Sequence, residues 1–185
     1  RSIDISHLAN ITGSAWLIGA DKKSSRLRVN KNYEHRGGRG DDYLTWLQTD
    51  PRWASKTLGT SGETMARSGC AVTTVAKLTV YSQSVNDDKY DPGYLCDYLN
   101  ANGGLDGSGC ILWSVAPYMT HAGRGDFSNP SKSDVISKIS ELMNQGYYVA
   151  LCVDNGNHYV AVLKVDSNGI TMSDPAQNDT TDLFT

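Results

Sequence analysis

The sequence predicts an α+β domain, with helices first and an antiparallel sheet after them. Three features carry this expectation. An apolar pattern at helical spacing opens at Cys70, a second capped helical pattern opens at Ser133, and beyond Gly146 the chain changes to short β-rich runs separated by turns. A length of 185 residues suits one such domain with an appended segment.

In chain order, Ile3, Ile5, Leu8, Ile11, Trp16, Leu17 and Ile18 form short apolar clusters without sustained periodicity. They are followed by His35-Arg36-Gly37-Gly38-Arg39-Gly40-Asp41-Asp42, a glycine-rich charged stretch that reads as a linker or exposed loop. Residues 1–40 are therefore read as an N-terminal extension or linker and residues 41–185 as the main domain. After the turn-rich Gly59-Thr60-Ser61-Gly62, Val72, Val75, Ala76 and Thr79 recur at helical spacing behind Cys70. Asp91 as N-cap and Pro92 in the first turn start a second helix, with Leu95, Cys96 and Leu99 inward and Gly103-Gly104 as its stop.

Residues 111–119 are expected to form a third helix, limited or kinked by Pro117. Ser133 is expected to cap a fourth, with Val135, Ile136, Ile139, Leu142 and Met143 as its stripe and Gly146 as its stop. Strands follow over 147–153, 158–165 and 170–173, joined by Asp154-Asn155-Gly156-Asn157 and by Ser167-Asn168-Gly169.

Composition narrows the function classes. Hydrophobic content of 39% and charged content of 20% are ordinary for a globular protein, and a net charge of −3 argues against a nucleic-acid binder. The densest basic stretch, Asp21-Lys22-Lys23-Ser24-Ser25-Arg26-Leu27-Arg28, lacks interleaved aromatics and reads as a solvated loop. No apolar run approaches the roughly 18 residues that span a bilayer. The chain opens at Arg1 without a signal peptide, so it is read as a processed or excised piece of a longer protein. Its Tyr, Gly, Asn, Asp and Ser content hints at a secreted, loop-rich one.

The four cysteines, Cys70, Cys96, Cys110 and Cys152, match no zinc spacing. With Cys70 set aside as a free thiol, one disulfide at most can form among the rest, and Cys96 and Cys110 are nearest in sequence. Cys152 reads as a small buried hydrophobe in a strand.

Four residues could carry chemistry together. Cys70 follows Gly69 at a helix start, where the positive end of the helix favours a thiolate; the plain alternative is a structural cysteine. His158 opens an apolar strand after a sharp turn, a rigid perch for a general base or simply a strand-end histidine bonded to a loop carbonyl. Asp174 ends the strand that should pair beside it, so it can orient the imidazole or merely terminate the strand before Pro175. Gln48 lies in a loop beside Asp50-Pro51, where its amide can donate to an oxyanion or simply face water. The joint order Gln, Gly-Cys at a helix start, His, Asp is far more specific than any member. His7, His35 and His121 have no carboxylate or cysteine at ligand spacing and read as surface or loop residues. Arg124-Gly125-Asp126 spells an adhesion tripeptide in a glycine-rich loop, a match short enough to arise by chance.

Gln48-Thr49-Asp50-Pro51-Arg52-Trp53, the Ser68-Gly69-Cys70-Ala71-Val72-Thr73-Thr74-Val75-Ala76 helix start, Asn157-His158-Tyr159-Val160-Ala161-Val162 and Ser173-Asp174-Pro175-Ala176 together resemble the C-39-like cysteine peptidases. These are papain-fold relatives of the bacteriocin-processing, double-glycine-leader peptidases. The resemblance covers residues 44–176. It implies a papain-like fold and a Cys-His-Asp triad of Cys70, His158 and Asp174, with Gln48 as oxyanion donor and no cofactor. It also implies a bacterial protein, secreted or at the cell surface, that belongs to a multi-module chain and acts on peptide or cell-wall peptide.

This chain departs from the family in reading Ala71-Val72-Thr73 where a further Gly and a Pro are usual, and Asn157 where Gly is common. The expected activity is hydrolysis of a peptide or amide bond through an acyl-thioester. A peptidoglycan amidase or endopeptidase, and a catalytically idle peptide-binding or adhesion module, are the alternatives.

Overall fold

The computed structural model describes residues 14–19, 43–82, 85, 87–127, 130–153, 156–177 and 180–183. The expectations for the basic stretch, the glycine-rich linker, His7 and His35 lie outside these residues. The elements run β1 (Ser14–Gly19), a 3-10 turn (Tyr43–Thr45), α1 (Met65–Ser68), α2 (Cys70–Tyr81), α3 (Pro92–Ala101), a 3-10 turn (Trp113–Val115), β2 (Thr120–Asp126), α4 (Lys132–Asn144), β3 (Tyr147–Val153), β4 (His158–Asp166), β5 (Gly169–Ser173) and β6 (Thr180–Asp182). The strands form one antiparallel sheet in the order β2-β1-β3-β4-β5-β6. The α+β class is as expected. Among the described residues no helix is long and apolar enough to cross a membrane.

The helices expected at Cys70 and Pro92 form as read. Asp91 accepts a hydrogen bond from the Tyr94 N–H at 2.7 Å and closes the first turn of α3. The cap of α4 is Ser131, two residues before the expected Ser133. Ser131 Oγ accepts from the Asp134 N–H, and Asp134 Oδ2 accepts from the Ser131 N–H, each at 3.0 Å. That reciprocal box needs an acceptor three residues after the cap, which Ser131 has in Asp134.

The helix expected over residues 111–119 is reduced to the 3-10 turn at Trp113. Ala116, just before Pro117, has an extended ψ of 130°, as the proline ring demands of its predecessor. Leu105 and Ile111 also pair as an isolated antiparallel bridge, which draws the start of this segment away from helical geometry.

The sheet does not start after the helices. Ser14–Gly19, from the segment expected to be an extension, lies between β2 and β3, with Trp16 opposite Ala150 on one side and Arg124 on the other. Its apolar run, Trp16-Leu17-Ile18, is too short to show a period, and its partners lie far along the chain. Arg124-Gly125-Asp126 is accordingly part of strand β2, paired with Ser14, Ala15 and Trp16, and not in a loop.

Side chains alternate across β3 and β4 and feed two separate cores. On one face Tyr148, Ala150 and Ala161 pack with α2 and α3; on the other Val149, Leu151, Val153, Val160 and Val162 pack with α4. Burial on both faces is why β3 reads as a continuous apolar run and not as an alternating one. Helix α2, buried from Val72 to Val80, is held on the first face by Thr74 Oγ1 donating to the Tyr159 carbonyl at 3.2 Å and by the Tyr81 hydroxyl donating to the Leu163 carbonyl.

Candidate active site

Cys70 is the first residue of α2, and only Gly69 separates it from α1. Gly69 has an ordinary negative φ of −83°, so it is not there for a left-handed turn. A Cβ at this position would come within 2.5 Å of the Met65 carbonyl oxygen and 2.8 Å of the Met65 sulfur. Glycine is required because the preceding turn packs directly against the backbone. The thiol of Cys70 is half-buried and enters a cleft of about 730 Å³. Backbone N–H groups in the first turn of a helix have no partner inside it and are free to face an anion.

Gln48 and His158 line the same cleft. Gln48 is buried, its N–H donates to the Pro175 carbonyl at 2.8 Å, and its Nε2 donates to the Ala66 carbonyl at 3.0 Å. The loop that carries it is braced by its own sequence. Asp50 accepts from the Arg52 N–H at 2.9 Å, from Nε at 3.0 Å and from Nη2 at 2.8 Å, and the Arg52 hydrogen bond holds the Asp50 carboxyl below the usual carboxylate range. The Arg52 guanidinium lies 4.6 Å over the ring of Trp53, whose Nε1 donates to the Leu47 carbonyl at 2.8 Å.

His158 begins β4, and its Nε2 donates to Asp174 Oδ1 at 2.6 Å. Asp174 is fully buried at the end of β5, where its Oδ1 also accepts from the Ala176 N–H at 2.8 Å. The β4–β5 hairpin, with Ala161 opposite Ser173, brings the two residues together. Burial disfavours a charged imidazole, but hydrogen bonds to Asp174 and to Cys70, with the Coulombic pull of both, raise His158 to about 9. The shift favours the protonated imidazole. Since Nε2 is taken by Asp174, Nδ1 is the ring nitrogen left for the sulfur.

All four residues singled out from the sequence thus meet at one cleft, Asp174 from behind the imidazole. Three others escaped the sequence reading. Trp113 lines the cleft, its ring 5.3 Å from that of Tyr159 and stacked at 6.4 Å on His121, which lies in the cleft wall and not on an outer surface. Cys110 lies opposite as an exposed thiol pushed up by partial burial, then by Asp106 and Cys70. Nothing local marks Trp113 or Cys110, which sit in the irregular stretch from 105 to 119, and His121 belongs to β2, whose partner β1 lies far along the chain.

All four cysteines are free, so the pairing of Cys96 with Cys110 does not occur. Cys96 is buried inside α3, its thiol pushed up to about 11 chiefly by burial, while Cys110 is exposed at the cleft. Cys152 is buried in β3, as expected. Among the described residues no group of three or more His, Cys, Asp or Glu could hold a metal ion. In comparisons with protein-family models, curated proteins and solved structures, nothing matches this chain.

Proposed function

We propose that this chain is a cysteine peptidase of papain-like design that cleaves a peptide or related amide bond. The observation that carries the reading is the imidazole of His158, held between a buried carboxylate and the sulfur of a helix-start cysteine. The Cys70 thiolate attacks the carbonyl carbon, and the oxygen becomes an oxyanion facing the Cys70 N–H and Gln48 Nε2. That amide nitrogen has two hydrogens; one is fixed on the Ala66 carbonyl, which leaves the other for the cleft. The His158 imidazolium gives its Nδ1 proton to the leaving amine as the C–N bond breaks, and a thioester remains on Cys70. Neutral His158 then takes a proton from water, the hydroxide attacks the thioester, and the C–S bond breaks to return the thiolate beside the imidazolium. Asp174 keeps the ring oriented through both halves.

Alkylation tests this reading cleanly, because exposure and activation favour different cysteines. Cys110 is the more exposed thiol, whereas Cys70 faces the charged imidazole. With limiting iodoacetamide at neutral pH and peptide mapping, Cys70 should be modified well before Cys110. Equal rates, or Cys110 first, would favour an idle binding module. Peptide libraries run beside turbidity measurements on purified cell walls then separate a peptidase from a peptidoglycan hydrolase.

A further inference from the structure

Lys77 lies on α2 roughly two turns beyond Cys70 and is completely buried. Burying an amino group costs free energy unless it is hydrogen-bonded, and an apolar side chain of similar volume often serves stability as well or better. The bonds that Lys77 makes show what the position gains from a lysine. Its Nζ donates to Ser173 Oγ at 2.8 Å and reaches the Leu44 carbonyl at 3.4 Å, and Ser173 Oγ lies 3.5 Å from that same carbonyl.

Each partner adjoins a different part of the site. Ser173 is the last residue of β5 and immediately precedes Asp174. Leu44 starts the segment that leads to Gln48, and the Gln48 N–H closes the circuit by donating to the Pro175 carbonyl at 2.8 Å. A ring of contacts therefore runs from α2 through Lys77 to Ser173 and Asp174, across Pro175 to Gln48, and back through Leu44.

We infer that Lys77 is a positioning residue, which sets the distance between the cysteine-bearing helix and the segments that carry Asp174 and Gln48. It touches no reacting atom. It acts by fixing where Asp174 stands, and so where Asp174 holds the imidazole relative to Cys70. The inference rests on the peptidase reading above.

The test uses the full chain with Lys77→Met, which keeps the length and apolar stem, and Ser173→Ala, which keeps the lysine and removes its partner on β5. Three quantities are measured: the thermal midpoint, the rate of Cys70 alkylation at neutral pH, and the titration of the His158 ring by nuclear magnetic resonance. Lys77→Met should stay within about 3 °C of the parent midpoint, a shift that corresponds to a small stability change in a domain of this size. Its Cys70 should react roughly tenfold or more slowly, as expected when a reacting group moves by a fraction of an ångström to an ångström. The His158 midpoint should fall from about 9 toward 6.5.

Ser173→Ala should move both site readouts in the same direction by less. A folded Lys77→Met variant with parental alkylation and parental His158 titration overturns the inference. If Lys77→Met does not fold, unchanged values in Ser173→Ala overturn it. Failure of the parent chain to favour Cys70 over Cys110 would instead count against the peptidase reading, and the His158 titration of the variants would still report on positioning.

Discussion

The two faces of the central sheet bury different chemistry. On the α4 side, Val135, Ile139 and Leu142 meet Val149, Leu151, Val153, Val160, Val162, Ile170, Met172 and Leu183, a core of aliphatic chains and one methionine. On the α2 side, Trp46, Trp53, Tyr90 and Tyr148 pack around a helix that also buries Thr73, Thr74, Lys77 and Thr79, with Gln48 and Ser173 nearby. Apolar contacts are non-directional and tolerate small shifts, whereas buried hydrogen bonds hold their partners at set distances. The first face relies on the former kind of contact. The second gives up some of that freedom to keep Cys70, His158, Asp174 and Gln48 in register.

The largest effect is expected at the candidate site itself. Asp174→Asn keeps the shape but removes the carboxylate that fixes the imidazole; on the peptidase proposed above, peptide hydrolysis should fall roughly 10²- to 10⁴-fold. Steady-state kinetics would check it, and an effect of less than about threefold would detach Asp174 from the chemistry. The complementary change is Ile139→Ala, at a fully buried position of α4. It should lower unfolding free energy by about 2–5 kcal/mol in urea titration while leaving the alkylation rate of Cys70 per folded molecule unchanged. A large loss of Cys70 reactivity there would show that the two faces are coupled.

The smallest effect expected is on the pH dependence of stability. His158 is raised from 6.5 to about 9, so its charged form is favoured in the folded state. Its contribution is complete below about pH 6.5 and is lost as pH rises through about 9, up to roughly 3 kcal/mol in all. Thermal midpoints of the parent should therefore fall more steeply across that window than those of His158→Ala. Parallel slopes would mean that the imidazole is not held as described.

The legible parts of the molecule are those whose partners lie nearby in sequence. Helices α2, α3 and α4 show their apolar stripes and local caps, and β3, β4 and β5 are joined by turns whose residues can be read directly. Even here a cap was misplaced, because Ser131 and Ser133 look alike until the box with Asp134 decides between them. β1 and β2 were hidden because each is short or polar and finds its partner across much of the chain. Lys77 shows the same limit on the core. Nothing around Lys77 in the sequence points to Ser173 or Leu44, the groups that receive its nitrogen.

Residue order alone determined the kinds of side chain available to the proposed site and the local elements that carry them: a cysteine after a glycine at a helix start, a histidine opening a strand, an aspartate closing the next one. Tertiary structure decided that these elements share a cleft, that β1 enters the middle of the sheet, and that Lys77 and Cys110 stand where no local pattern puts them. The physical reason is range. Caps, turns and periodic stripes act over a few residues, whereas sheet order, burial of polar groups and the charge state of an imidazole depend on which distant segments pack against one another.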